Sequence, residues 1–124
     1  MSAVAIAKLA DYLDEKARQV KALETEAQAI IHNEGDQAGY EAAMRRKAEL
    51  LAALAADAAP LLQALSAPLA AAAGERLNGF SLNASNSLRI GSVFYMSALL
   101  YPDEHKPGEP NNLDLFAAEV RGWA

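Results

Sequence analysis

Two short segments of the chain combine a histidine with several carboxylates, which is the chemistry that a metal site needs. Their members are His32, Glu34 and Asp36 in the first segment and Asp103, Glu104, His105 and Glu109 in the second. Neither segment has two histidines at helical spacing, the alternating oxygen ligands of a calcium loop, or the Glu-x-x-His motif of di-metal bundles. The sequence therefore predicts no metal site in either segment.

Nucleophilic catalysis and phosphate binding have little support in the residues. The chain has no cysteine, and neither of its two histidines stands in a motif that would activate a serine. Its seven glycines are scattered and form no phosphate-binding loop. We therefore predict that the chain is not an enzyme and holds no cofactor.

Two lysines, Lys16 and Lys47, fall on stripes of otherwise apolar residues, where a charge is unusual. Such a lysine commonly lays its hydrocarbon stem along the core and lifts its amine to solvent. It can also fix the register or the oligomeric state of a helical pair. The functional alternative is that both amines converge on one groove and bind an acidic ligand or partner.

The charge pattern argues against nucleic acid as a partner. The net charge is −5 and the isoelectric point is about 4.9. Acidic and basic residues are interspersed, so no basic stripe is available to neutralise phosphates. The basic cluster at residues 45–47 has Glu41 and Glu49 at helical spacing, which is typical of ion pairs on an exposed helix face.

Residues 50–73 are long and apolar enough to raise the question of a membrane-spanning helix. Asp57 near the middle would cost roughly 2.5 to 3.5 kcal/mol in a bilayer, and alanine hardly offsets that cost. The N-terminal residues lack the order of charged, apolar and small residues that defines a signal peptide. Together with the absence of cysteine, these features predict a cytoplasmic protein without a membrane span.

The candidate residues named above are expected to lie mainly on helices or in the turns between them, because alanine is the most abundant residue and the best helix former. Apolar residues recur in alternating steps of three and four along residues 6–30 and again along 40–65, which gives each segment a heptad seam. We expect an antiparallel hairpin of helices at about 3–33 and about 36–58, with the turn at Gly35.

Folding back at this turn pairs seam residues whose numbers add up to 70 or 71, from Ile30 with Tyr40 to Ile6 with Leu65. The register predicts that Leu54 is buried. Because the pairing continues past Pro60, we expect the second arm to continue to about residue 78, with a bend at Pro60, at Pro68 or at both.

The rest of the chain is expected to complete one all-α domain over residues 1–124. Asparagine, serine and glycine in residues 77–87 predict a break between helices. We then expect an apolar helix at about 86–101, the most buried of all, which closes the bundle. A proline-rich loop at 102–111 and a short helix at about 112–122 follow.

A hairpin with arms of about 30 residues is about 45 Å long, and the residues after Gly79 are too few to cover it. Apolar surface left in this way predicts a homodimer or a complex with another protein. The residues expected to form a partner or ligand surface are Phe94, Tyr95, Met96, Tyr101, Phe116 and Trp123.

The hypothesis that follows is a non-enzymatic helical interaction module, such as an adaptor, an assembly factor or a chaperone-like protein. One alternative is a bundle that binds a small apolar ligand between its helices, with Phe94, Tyr95, Met96 and Tyr101 as pocket walls. Another is a non-catalytic subunit of a larger enzyme.

Overall fold

The computed structural model describes residues 2–124, which form helices, turns and loops and contain no strand. The helices are α1 (Ser2–Ala29), α2 (Gln37–Ala52), α3 (Leu54–Leu62), α4 (Ala67–Ile90), α5 (Val93–Ala98) and α6 (Asn112–Arg121). The predicted all-α fold, built on a long N-terminal helical hairpin, is confirmed.

The hairpin turn forms where the sequence places it. α1 continues into a π-helical turn, Ile30–Glu34, which ends at Gly35 in the left-handed conformation with φ of 63°. A residue with a side chain is strained at this φ, so glycine suits the position. Asp36 then caps α2 by accepting a hydrogen bond from the Gly39 N–H at 3.0 Å.

The register of the hairpin agrees with the prediction. Ion pairs across it join Glu24 to Lys47 and Glu26 to Arg46, so the paired numbers add up to 71 and 72. Leu54 is fully buried, as predicted. The apolar seam residues that are buried with it are Ile6, Leu9, Leu13, Val20, Ala27, Met44, Leu51, Ala58 and Leu65.

The second arm is interrupted at Ala53 rather than at Pro60, which lies inside α3. The Ser81 hydroxyl accepts a hydrogen bond from the Ala55 N–H at 2.9 Å and donates one to the Leu51 carbonyl at 3.0 Å. It thus takes the place of the direct bond between these two backbone groups. A side chain inserted into the hydrogen-bond ladder is a known cause of helix bending.

The predicted continuation of this arm to about residue 78 is corrected by the structure. α3 ends at Leu62, and Pro68 lies in the first turn of α4, where a proline needs no N–H partner. α4 returns along α3 and α2, which brings Ser81 to Leu51 and Ala55. α4 therefore covers part of the apolar hairpin surface that the sequence predicts to be left exposed.

The predicted break at residues 77–87 is wrong, because α4 runs through it. Ala73, Leu77, Ala84 and Ser87 are buried at helical spacing on one face. The asparagines that favoured a loop lie on other faces, and Asn83 is exposed. Burial of a regular stripe outweighs the weak local preference of asparagine and serine for turns.

The predicted apolar helix at 86–101 is also wrong. α4 ends at Ile90, followed by Gly91 in the left-handed conformation with φ of 74°. The Ser92 side chain then accepts from the Tyr95 N–H at 3.1 Å and starts the short helix α5. Within α5 only Met96 is buried, so this segment is not the most buried helix.

The last helix is confirmed close to its predicted bounds. Asn111 and Asp114 form a reciprocal capping box at its start. Its buried residues Leu113, Phe116, Ala117 and Val120 join the main core with α1, α3 and α4. Ion pairs of Arg121 with Asp11 and Asp14, and of Lys21 with Asp114, fasten α6 to α1.

The Ser81 insertion generates a prediction. Ser81→Ala leaves the Leu51 carbonyl and the Ala55 N–H without their partner, so we expect the free energy of unfolding to fall by about 1–3 kcal/mol. Ser85→Ala, on the exposed face of the same helix, should change it little. Urea denaturation of both variants measures the difference, and equal midpoints would contradict the assigned role of Ser81.

Candidate interaction surface

The Lys47 side chain is fully buried, and its amine has three partners from different parts of the chain. The amine lies 2.8 Å from Glu24 Oε2 and donates to the Ser97 carbonyl at 3.0 Å. It also lies 5.0 Å from the centre of the Tyr101 ring. The Tyr101 hydroxyl donates to the other oxygen of Glu24 at 2.5 Å. We call Glu24, Lys47, Ser97 and Tyr101 the buried cluster.

Burial shifts the protonation equilibria in this cluster. It lowers the pKa of the Lys47 amine, while the hydrogen bond and the charge of Glu24 oppose that change. Burial also raises the pKa of the Tyr101 hydroxyl well above its usual range, and the bond to Glu24 and its charge add to this increase.

The contacts of the Lys47 amine give it a structural role and do not present it as a nucleophile. A cavity of about 220 Å³ beside the cluster is lined by Glu24 and Tyr101 but not by Lys47. The amine is therefore not presented to a substrate, and its contacts are taken by Glu24, Ser97 and the Tyr101 ring. The expectation that the Lys47 amine reaches solvent is wrong. The hydrocarbon stem of Lys47 lies in the core as expected, but its amine is buried as well.

Lys16 has separate surroundings. Its side chain is partly exposed, and its amine lies 5.5 Å from the centre of the Tyr12 ring. In the hairpin register Lys16 lies opposite Leu54, and Lys47 lies opposite Leu23. These two layers are one heptad, or about 10 Å, apart along the hairpin axis. The structure places the two amines with different partners and does not bring them together on one groove.

The buried cluster fixes α5 on the hairpin. Lys47 holds the Ser97 carbonyl near the end of α5, and the buried Met96 packs in a small second core with Ala27, Ala43, Met44 and Ala48. With Met96 directed inward, Phe94 and Tyr95 lie on the outer side, where their exposed fractions are 73% and 53%. Ile90, at the end of α4, is 57% exposed.

We call Ile90, Phe94 and Tyr95 the α4–α5 corner. Beside it runs an open groove of about 410 Å³, which we call the corner groove. Ile90, Tyr95 and Leu99 provide its apolar walls. Side-chain amides of Asn83, Asn86 and Asn112 also line it.

The corner lies in a nearly uncharged part of the chain. Charged residues make up 22% of the sequence, yet Arg89 is the single one in residues 77–101. Protein interfaces are depleted of charge at their centres and enriched in aromatic residues and arginine. Phe94 and Tyr95 supply the aromatic side chains of the corner, and Arg89 is exposed next to Ile90 along the chain.

The six residues predicted as a partner surface do not form one surface. Phe94 and Tyr95 lie together at the corner, with Met96 buried beneath them. Tyr101 belongs to the buried cluster and also lines the corner groove with Tyr95. Phe116 is fully buried, and its ring lies 5.9 Å from that of Phe80 and 6.3 Å from that of Trp123, which is partly exposed.

Ile90 was missed because the sequence was read as one helix through Gly91. The signal that could have found it is the pair Gly91-Ser92, a helix stop followed directly by an N-cap, which repeats the pattern used at Gly35 and Asp36.

The loop at 102–111 lines a cavity of about 680 Å³ together with Lys21 of α1 and Asp114 of α6. The His105 ring packs edge-on against Tyr101 at 4.8 Å, and its Nε2 lies 2.9 Å from the Glu109 carbonyl oxygen. Across residues 2–124, no three histidine or carboxylate side chains come together in a way that could hold a metal ion. None of the helices in that range has both the length and the apolar character to cross a membrane.

Comparisons with known proteins add no relative: no family model, curated protein or solved structure matches this chain.

The buried cluster generates a stability prediction. Lys47→Met leaves the Glu24 carboxylate without its countercharge, and we expect a loss of about 3 kcal/mol in the free energy of unfolding. Arg46→Met removes the neighbouring ion pair with Glu26, in which both side chains are about half exposed, and should cost at most about 1 kcal/mol. Chemical denaturation distinguishes them, and similar losses would show that the Lys47 pair is not special.

A pH dependence follows from Tyr101. Because its folded-state pKa is raised above the ordinary 10.0, it contributes stability that is complete below about pH 10 and is lost as the pH rises further. Lys47, whose pKa is lowered, makes stability rise with pH instead. Because Lys47 is present in both the wild type and the Tyr101→Phe variant, its contribution does not distinguish them. We expect Tyr101→Phe to lose less stability than the wild type from about pH 9 to about pH 11. Parallel curves of unfolding free energy against pH would contradict this assignment.

Proposed function

We propose that this chain is a non-enzymatic helical interaction module that binds a protein partner through the α4–α5 corner. The observation that carries the proposal is Phe94, an aromatic side chain that is 73% exposed on a helix held from below by buried contacts. Adaptors, assembly factors and chaperone-like proteins act in this way. The proposal includes a cytoplasmic location, which the cysteine-free sequence favours.

The anchoring of α5 supports this function on energetic grounds. The bond from Lys47 to Ser97 and the burial of Met96 order α5 before any partner arrives. Binding then costs little backbone entropy, because the aromatic residues are already in place. Preorganised aromatic residues and arginines are the side chains that dominate binding energy at interfaces.

The apolar-ligand alternative has less support. Its proposed pocket walls included Met96, but this side chain is fully buried and packed against Met44 and its neighbours. The corner groove has the volume of a ligand site, yet it is open and partly lined with amides. A broad surface of this kind suits a protein better than a small apolar molecule.

Site-specific photocrosslinking tests the proposal. A benzophenone amino acid replaces Phe94 in one variant and Val4, which is 60% exposed on α1, in the matched control. Irradiation in the native cell should give a discrete protein adduct from position 94 and none from position 4. If position 94 yields no adduct, or both positions yield the same ones, the corner is not a specific interaction surface.

A further inference from the structure

We propose that the partner at the α4–α5 corner is a second copy of this chain, related by a two-fold axis. In this arrangement each Phe94 ring enters the corner groove of the other copy. This inference rests on the proposed function, since it names the partner that the corner binds.

The first argument is that the projecting residue and the groove belong to one patch. The Phe94 and Tyr95 rings are 5.8 Å apart, and Tyr95 is also a wall of the corner groove. A two-fold interface uses the same patch on both subunits, so that a residue which projects must lie beside the site that receives its equivalent. Phe94 and the corner groove meet this requirement.

The second argument is the match between the ring and the groove. The groove of about 410 Å³ has room for an aromatic side chain, and Ile90, Tyr95 and Leu99 would surround it with apolar groups. Tyr95 would add an aromatic contact, since its ring already packs at a tilted angle against Phe94 of its own chain. The amides of the groove can bond to polar backbone or side-chain groups at the edge of the contact.

The third argument is charge. Two chains of net charge −5 repel each other, so self-association needs a surface from which acidic groups are missing. Residues 77–101 contain no acidic residue and include α5 and the part of α4 that forms the corner. A basic partner would gain little on such a surface, whereas an equally uncharged surface meets no repulsion there.

The expected area predicts a weak dimer. Because Phe94 and Tyr95 are 73% and 53% exposed, these side chains, at about 150–250 Å² each, contribute about 400–600 Å² from the two copies. The groove walls that receive them bury a similar area. Stable interfaces bury about 1,200–2,000 Å². The contact is therefore at the lower end for specific association, and we expect a dissociation constant in the micromolar range, with monomer and dimer in rapid exchange.

Sedimentation velocity over micromolar to millimolar concentrations tests the inference. The wild type and Val4→Asp, which adds the same charge at a distant exposed site, should dimerise equally. Phe94→Asp should weaken dimerisation by at least about thirtyfold, as for a hot-spot residue, while circular dichroism shows an unchanged fold. A wild type that stays monomeric over the whole range, or a dimer that Phe94→Asp leaves intact, overturns the inference.

Crosslinking a purified mixture of ¹⁴N- and ¹⁵N-labelled chains with benzophenone at position 94 tests the geometry. The expected product is a mixed-isotope dimer whose link falls in residues 83–99. A link elsewhere in the second chain overturns the two-fold arrangement. If the purified chain is monomeric but position 94 captures a different protein in cells, the inference fails and the proposed function stands. No adduct in either experiment overturns both.

Discussion

The Lys47 amine lies at the point where α1, α2 and α5 meet, and the position of the α4–α5 corner depends on its contacts. Burying an ammonium costs several kcal/mol, so Lys47 is stable in this position only because Glu24 and the Ser97 carbonyl both bind its amine. An apolar residue at position 47 would leave Glu24 without its countercharge and would not bond to the Ser97 carbonyl, so it would not fix the position of α5.

A second polar contact, at Ser81, determines the path of the chain. Its hydroxyl satisfies both backbone groups freed where α2 gives way to α3. This contact exists only because α4 returns along the hairpin, and it fixes the position of α4 along the hairpin axis. α4 therefore ends near α5, and Gly91 turns the chain sharply there. The contacts of Lys47 and Ser81 together determine where the α4–α5 corner lies.

The proposed interaction at the corner is supported by three features of its structure. A short helix is held firmly from below, its outer side carries two aromatic rings, and acidic residues are missing from the surrounding segment although the chain as a whole is acidic. Rigidity lowers the entropic cost of association and the lack of acidic groups removes repulsion. Both properties support the proposed association with another protein surface.

Heptad spacing determined the hairpin from sequence alone, because seam residues, the Gly35 turn and the Asp36 cap are local signals that agree with one another. The caps at Asn111 and Asp114 determined the last helix in the same way. Only the tertiary structure decided that α4 returns along the hairpin and runs through residues 77–87. There the local preferences of asparagine and serine are weak, and the contacts that override them join residues far apart in the chain, as Ser81 joins Leu51. The bond from Lys47 to Ser97, which positions α5, is equally long-range. Spacing along the sequence carries no record of such long-range partners.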